Sequence, residues 1–168
     1  RNAVARDGIT VWDMTMMSYV ACYRYPALEP RTFMFPAGYG TLGFALPAAL
    51  GAKIAQPDRD VVAIVGDGGF QFTMQELATA VMFSINIPIV IFDDSTYSAV
   101  KDAQMRSRDS RFQAVDLINP DFTLIADAYG VPWSRPETAE ALEADLKTAL
   151  RRDSPSLLIV PIPAWVQD

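Results

Sequence analysis

The chain has 168 residues, of which 51% are hydrophobic and 20% charged, and its formal net charge at pH 7 is −6. These values predict one globular α/β domain with buried strands. The negative charge and the scattered basic residues exclude a nucleic-acid-binding surface, and no apolar run reaches the length of a membrane span. The single cysteine, Cys22, allows no internal disulfide and favours a reducing cytoplasm. Because histidine is absent, this chain supplies no Ser-His or Cys-His catalytic pair.

The first third of the chain predicts two short strands and two helices. An apolar run at 9–13 ends in an acid, and a second strand is expected over 32–35. Helices are expected over 14–23 and over about 43–55, and Pro47 should perturb the first turns of the second helix. That helix is rich in alanine and glycine, which favours close packing on a sheet or on a partner.

The segment Gly38-Tyr39-Gly40-Thr41-Leu42-Gly43 matches the G-x-G-x-x-G pattern of dinucleotide-binding units. Asp67 follows 24 positions after Gly43, so a nicotinamide-binding oxidoreductase domain is one interpretation. Two features weigh against it. The preceding strand is short and interrupted by Pro36, whereas it should run directly into the glycines. The glycine-rich segment after Val65 also has no role in that scheme.

The clearest pattern lies between residues 61 and 97. Apolar runs at 61–65 and 87–92 end at Gly66-Asp67-Gly68-Gly69 and at Asp93-Asp94, with an amphipathic helix predicted over about 72–83. This order predicts a right-handed parallel βαβ unit, in which both strand ends open onto one edge of the sheet. Ligands of open α/β sheets bind at that edge. Asp67 and Asp94 are therefore expected to meet, although 27 positions separate them.

The residue types at this edge suit a metal-bound diphosphate. Two carboxylates favour Mg²⁺, which often shares its oxygen ligands with phosphates. Gly68 and Gly69 have no Cβ, so their backbone N–H groups are expected to approach a phosphate closely. A helix beginning near Phe72 would add the positive end of its dipole. The alternative is that both acids only form turns, which fits either acid alone better than it fits the pair.

Gly66-Asp67-Gly68, followed after 24 residues by the pair Asp93-Asp94, resembles the thiamine diphosphate (ThDP) motif. It is similar to the motif in the C-terminal domain of the acetolactate synthase, pyruvate oxidase and benzoylformate decarboxylase superfamily. The resemblance extends from roughly residue 7 to residue 160. It implies a doubly wound, mainly parallel sheet with helices on both faces, and it implies ThDP and Mg²⁺ as cofactors.

One position pair departs from the family, which usually has Asn-Asn where this chain has Asp93-Asp94. An amide donates as well as accepts hydrogen bonds, whereas an ionised carboxylate only accepts them. Asp94 would therefore add a negative charge beside the diphosphate, offset in part by the metal. We expect an altered affinity for the cofactor or the metal.

The resemblance also implies roles for individual residues. Asp67, Asp94 and the carbonyl of Thr96 would ligate the metal. The carbonyl of Gly40 would accept a hydrogen bond from the 4′-amino group of the cofactor, and Leu42 would be the apolar wedge below the bent cofactor, unless it is an ordinary core leucine. The complete set of implied cofactor-binding residues is Gly40, Thr41, Leu42, Gly66, Asp67, Gly68, Gly69, Asp94, Thr96 and Tyr97.

The resemblance further implies that this domain does not act alone. In the family, a glutamate on a separate pyrimidine-binding domain, usually from a neighbouring subunit, activates the cofactor. No residue here matches it, and a helix-dipole and packing role explains Glu76 better. We therefore expect residues 1–168 to be one ThDP- and Mg-binding domain, the C-terminal part of a longer, homo-oligomeric 2-oxo-acid decarboxylase or carboligase, without activity in isolation.

Two further observations keep other outcomes open. A typical acetolactate synthase has a tryptophan at the position matching Ala103, so its absence argues against that specific activity. The double acid at 93–94 supports a third interpretation, a non-catalytic interaction domain that keeps the fold.

The last third of the chain predicts a helix capped by Asn119, with Pro120 at its first position and Gly130 after its end. A short strand at 131–134, a helix at 136–150 and a buried strand at 156–160 should complete the sheet.

Overall fold

The computed structural model describes residues 1–107, 109 and 111–164. Six strands among these residues form one sheet in the order β2-β1-β3-β4-β6-β5, and every pairing within it is parallel. This confirms the predicted parallel α/β sheet. The strands are β1 (Ile9–Trp12), β2 (Phe33–Met34), β3 (Val61–Gly66), β4 (Pro88–Asp93), β5 (Trp133–Ser134) and β6 (Ser156–Pro161).

Helices cover both faces of the sheet, as the doubly wound fold requires. They are α1 (Met16–Arg24), α2 (Ala45–Ala55), α3 (Asp67–Thr73), α4 (Leu77–Met82), α5 (Ser98–Ser107), α6 (Phe122–Tyr129) and α7 (Ala139–Ala149). Buried residues of α2, α3, α4 and α6 form one core cluster with the sheet. Buried residues of α1 and α7 belong to a second cluster. No helix in the described ranges is long and apolar enough to cross a bilayer.

Strand β3 shows why the central strands are continuous apolar runs. Val61, Ala63 and Val65 belong to the first core cluster, whereas Val62 and Ile64 belong to the second. Side chains of a strand alternate between the two faces of a sheet, and here both faces are covered by helices. All six residues of β3 are consequently buried.

The segment after β3 is helical, which corrects the prediction of a glycine turn followed by a helix over 72–83. α3 begins at Asp67 directly after Gly66, whose extended backbone forms the N-cap, and a 3₁₀ turn (Met74–Glu76) separates α3 from α4. Two adjacent glycines have a low intrinsic helix propensity. Burial of residues 67–70 against the sheet overrides that propensity.

The helix near residue 120 begins later than predicted, and Asn119 is not its cap. Asp121 is the N-cap, because its carboxylate accepts a hydrogen bond of 2.9 Å from the backbone N–H of Thr123. The helix ends at Gly130 as predicted, with a left-handed φ of 66°. The side chain of Asn119 instead contacts acids at the sheet edge. Pro47 lies in the first turn of α2, where a missing N–H leaves no intrahelical bond unmade.

Candidate cofactor site

A cavity of about 290 Å³ lies at the sheet edge where β3 and β4 end. Its wall contains nine of the ten residues expected to bind the cofactor: Gly40, Leu42, Gly66, Asp67, Gly68, Gly69, Asp94, Thr96 and Tyr97. Thr41 is exposed and does not line the cavity, and its hydroxyl donates to the carbonyl of Leu42. The parallel βαβ connection therefore brings Asp67 and Asp94 to one place.

Asp67 and Asp94 are the two acids of the cavity wall. Asp67 is 3% exposed, and burial raises its pKa to about 6, against hydrogen bonds from the Asn119 side chain and the Gly68 backbone. The nearby charges of Asp94 and Asp93 raise the pKa further. Burial also raises the pKa of Asp94, although its carboxylate accepts a hydrogen bond from the Ser98 hydroxyl. Buried like charges of this kind favour a bound cation.

Asp93 and Asp94 are adjacent in sequence but have different surroundings. Asp93 lies outside the cavity wall and lines a separate surface depression. Its Oδ1 accepts hydrogen bonds from the Ser95 N–H at 3.2 Å, the Ser95 hydroxyl at 3.3 Å and the Asn119 side-chain amide at 2.8 Å. Only one acid of the pair therefore lines the cavity.

Thr96 is held by a short antiparallel pairing with Asp116. The N–H of Tyr97 donates to the Val115 carbonyl at 2.7 Å, and the N–H of Leu117 donates to the Ser95 carbonyl at 2.8 Å. Thr96 thus occupies the non-hydrogen-bonded position, so its own carbonyl points away from Asp116. Its side chain is buried and it lines the cavity. This backbone geometry suits a carbonyl ligand.

Gly68 and Gly69 lie close to other side chains, and the approach is closest at Gly68. A Cβ on Gly68 would lie 2.4 Å from Cε1 of Tyr97, and a Cβ on Gly69 would lie 3.2 Å from Oδ1 of Asp13. The missing Cβ atoms therefore also make room for the side chains of Tyr97 and Asp13. The close approach of these N–H groups to a phosphate stays a prediction.

Another side of the cavity is formed by the glycine segment, which we define as residues 38–43. Gly40 and Leu42 of this segment line the cavity. Gly40 and Gly43 have φ values of 73° and 79°, a left-handed conformation that favours glycine. The segment follows β2, a two-residue strand at the edge of the sheet. A dinucleotide-binding unit instead places its glycines after a central strand. The fold therefore does not support the nicotinamide interpretation.

Asp13 is a residue of this region that sequence analysis identified only as a strand end. It is 1% exposed, and its carboxylate accepts hydrogen bonds from the N–H groups of Met14 at 2.7 Å, Gly43 at 3.1 Å and Ala45 at 3.1 Å. Burial raises its pKa against these bonds. Asp13 thus connects the end of β1 to the glycine segment and to the first residue of α2. The partners lie 30 and 32 positions away, and no spacing rule signals them.

Asn119 is a second residue that sequence analysis misassigned. Its Nδ2 donates to Oδ2 of Asp67 at 2.6 Å and to Oδ1 of Asp93 at 2.8 Å, and its Oδ1 accepts from Nε2 of Gln71 at 2.9 Å. In the sequence, Asn before Pro resembles a helix cap. Its position beside two acids depends on the tertiary fold.

The donor set fits a Mg²⁺ ion, because two carboxylates and one carbonyl are hard oxygen ligands. Among the described residues, no group of three or more His, Cys, Asp or Glu side chains is arranged to hold a metal. The chain thus offers two side-chain ligands, and the remaining ligands would come from the backbone, water or phosphate oxygens.

Known proteins match both the sequence and the fold. Residues 13–160 match the family model described as "Thiamine pyrophosphate enzyme, C-terminal TPP binding domain". The chain is 36% identical over 158 residues to the probable 2-ketoarginine decarboxylase of Pseudomonas aeruginosa, covering 93% of this chain and 28% of the relative. It is 37% identical over 157 residues to the acetolactate synthase large subunit of Lactococcus lactis, covering 93% of this chain and 27% of the relative.

A solved structure of another thiamine diphosphate-dependent enzyme also matches this chain. The thiamine diphosphate-dependent 4-hydroxybenzoylformate decarboxylase of Rhodococcus jostii RHA1 superposes with a TM-score of 0.89 and 32% identity, covering 97% of this chain and 31% of that one. The chain spans less than a third of the length of these proteins. The matching family model describes a thiamine pyrophosphate-binding domain, and nothing in these relatives favours a nicotinamide cofactor. This chain belongs to the C-terminal ThDP-binding domains of the thiamine diphosphate enzymes.

Proposed function

We propose that this domain binds ThDP through a Mg²⁺ ion held by Asp67, Asp94 and the carbonyl of Thr96. The observation that carries the proposal is the meeting of a buried and a half-buried carboxylate, Asp67 and Asp94, at adjacent strand ends, on a cavity that Thr96 also lines. When bound, ThDP supplies an electron sink for the loss of carbon dioxide from a 2-oxo acid. The protein's residues provide binding, orientation and exclusion of water.

The two sides of the cavity suit different parts of the cofactor. Asp67 and Asp94 would hold the metal and through it the diphosphate. Gly40 and Leu42 line the cavity from the glycine segment and would contact the middle of the cofactor. The remaining wall is largely apolar, which limits water around the reacting end; it includes Met14, Met17, Tyr19, Phe92 and Ile162.

The activity of the whole protein is part of the proposal, since this chain covers so little of its relatives. Two of them are named for the decarboxylation of 2-ketoarginine and 4-hydroxybenzoylformate, which are both 2-oxo acids. We therefore propose a cytoplasmic, homo-oligomeric 2-oxo-acid decarboxylase or carboligase. Ala103 in place of tryptophan argues against a typical acetolactate synthase.

The activating glutamate would come from a pyrimidine-binding domain of the same or a neighbouring subunit. Glu76 does not line the cavity, and its carboxylate accepts a hydrogen bond from the Thr79 hydroxyl at 2.9 Å within the same turn. This contact supports a local structural role for Glu76. Residues 1–168 in isolation should therefore give no turnover.

Calorimetric titration of the full-length protein with ThDP tests the binding proposal. Binding should require Mg²⁺, and Asp67→Ala should weaken it about 100-fold, because the variant loses a buried carboxylate ligand. Glu76→Ala removes an acid outside the cavity and serves as the matched control, with binding expected within about twofold of the unsubstituted protein. Binding that needs no metal, or that survives Asp67→Ala, would contradict the site. No ThDP binding at all would favour the non-catalytic interaction domain.

A further inference from the structure

The side-chain amide of Asn119 connects acids from two adjacent strands. Asp67 follows β3 and Asp93 ends β4, and each accepts one hydrogen bond from Nδ2 of Asn119, at 2.6 and 2.8 Å. Carboxylates that are ionised only accept hydrogen bonds, so the amide nitrogen must face them. The amide oxygen faces Gln71 on α3, whose Nε2 donates to it at 2.9 Å. All hydrogen-bonding groups of this amide therefore have partners.

The hydrogen bond from Asn119 to Asp67 determines the orientation of the Asp67 carboxylate at the cavity. Oδ2 of Asp67 accepts from Asn119, which fixes the rotation of the carboxylate. Asn119 does not bond the other oxygen, Oδ1, so we expect Oδ1 to ligate an ion in the cavity that Asp67 lines. A carboxylate without this partner would be able to rotate and would lose part of its preorganisation for a metal.

The same amide also determines where the charge of Asp93 lies. Asp93 is held outside the cavity by Asn119 and by the N–H and hydroxyl of Ser95. Without the amide, Asp93 would lose a strong donor while remaining close to Asp67 and Asp94. Repulsion among three carboxylates would then disturb the arrangement of the two that face the cavity.

We propose that Asn119 is a positioning residue of the metal site, a proposal that rests on the proposed function. Asn119 orients Asp67 toward the ion and holds Asp93 away from it. The position of Asn119 is itself restrained. Pro120 limits the backbone of the residue that precedes it, and Gln71 holds the amide from the other side. Removal of such an outer partner typically weakens metal affinity about 10- to 100-fold.

The test is a titration of the full-length protein with Mn²⁺ at saturating ThDP. The electron paramagnetic resonance signal of free Mn²⁺ reports how much of the ion remains unbound. Asn119→Ala should raise the dissociation constant for Mn²⁺ about 10-fold or more. Asn119→Ser keeps one hydroxyl donor, which reaches one carboxylate at most, and should give an intermediate value. Asn119→Ser also provides the measurement if the alanine variant does not fold.

Asn86→Ala is the matched control. Asn86 is half-buried and its Nδ2 donates to the Leu150 carbonyl at 3.0 Å, away from the cavity. Its loss should change the Mn²⁺ dissociation constant by less than about twofold, even if the fold is destabilised. Equal weakening by Asn86→Ala and Asn119→Ala, or unchanged affinity in Asn119→Ala, would overturn the inference. Absence of Mn²⁺ binding in the unsubstituted protein with ThDP would instead overturn the proposed function.

Discussion

The two sides of the cavity are built in different ways. The side proposed to hold the metal, here called the metal end and formed by Asp67, Asp94 and Thr96, follows directly from the ends of β3 and β4. The glycine segment is a loop between β2 and α2, connected to the sheet by hydrogen bonds to the carboxylate of Asp13. The position of the metal end is therefore set by the topology of the sheet, whereas that of the glycine segment depends strongly on one side chain.

The acids of the two sides also differ in how their charge is satisfied. At least three backbone N–H groups donate to Asp13, although burial still raises the pKa of its carboxyl. Asp67 has fewer donors and lies near two further carboxylates. A buried charge with few partners is costly, and a divalent cation would offset that cost. Asp13 therefore positions a loop without lining the cavity, whereas Asp67 lines the cavity and is the acid that a bound cation would stabilise.

The largest loss of stability is expected when Asp13 is replaced. Asp13→Ala leaves the N–H groups of Gly43 and Ala45 without their buried acceptor, which costs about 2–3 kcal/mol. Hydrogen-exchange mass spectrometry on the full-length protein should show a loss of protection of about 30- to 100-fold over residues 38–46. Asp13→Asn keeps one carbonyl acceptor and should show a smaller loss of protection over the same residues. Equal loss of protection over residues 94–97 would contradict the separation of the two sides.

The sequence predicted that Asp67 and Asp94 meet, because apolar runs mark where the strands end and the parallel connection places both ends at one edge of the sheet. Thr96, which lines the same cavity, was expected only from the family resemblance. The start of α3 was missed because two glycines argue against a helix locally, and only burial reverses that preference. Asn119 was misassigned because a local cap pattern and a long-range bridge use the same residue type. Its carboxylate partners lie 52 and 26 positions away.

A second, smaller effect concerns the pH dependence at the metal end. In metal-free protein, burial raises the pKa of Asp67 from 3.8 to about 6, so the folded state binds this proton more tightly than the unfolded state. The stability that this proton provides is present below about pH 4 and is lost as the pH rises through about 6. Asp67→Asn removes the buried charge and should stabilise metal-free protein at pH 7.5.

The expected gain from Asp67→Asn is about 1–2 kcal/mol, since water in the cavity reduces an upper limit of about 3 kcal/mol. Thermal unfolding in the presence of a chelator, at pH 4 and pH 7.5, measures it. The variant and the unsubstituted protein should differ little at pH 4. A difference that does not change with pH would show that the charge of Asp67 is already compensated within the chain.

The smallest effect is expected within the glycine segment, where two glycines provide a matched pair. Gly40→Ala places a side chain at a φ of 73°, at a cost of about 1 kcal/mol. Its Cβ would also lie 2.9 Å from Cε of Met14, a flexible end that can move aside. Gly38→Ala meets no atom within 4 Å and should change stability by less than about 0.5 kcal/mol.

Thermal unfolding of the two variants distinguishes a fixed loop from an adaptable one. If Gly40→Ala destabilises the protein and Gly38→Ala does not, the left-handed conformation of Gly40 is part of the native structure that Asp13 holds in place. If both variants are neutral, the segment relaxes around the new side chain. In that case Asp13 restrains only its attachment points at Gly43 and Ala45, and ligand binding would have to order the rest.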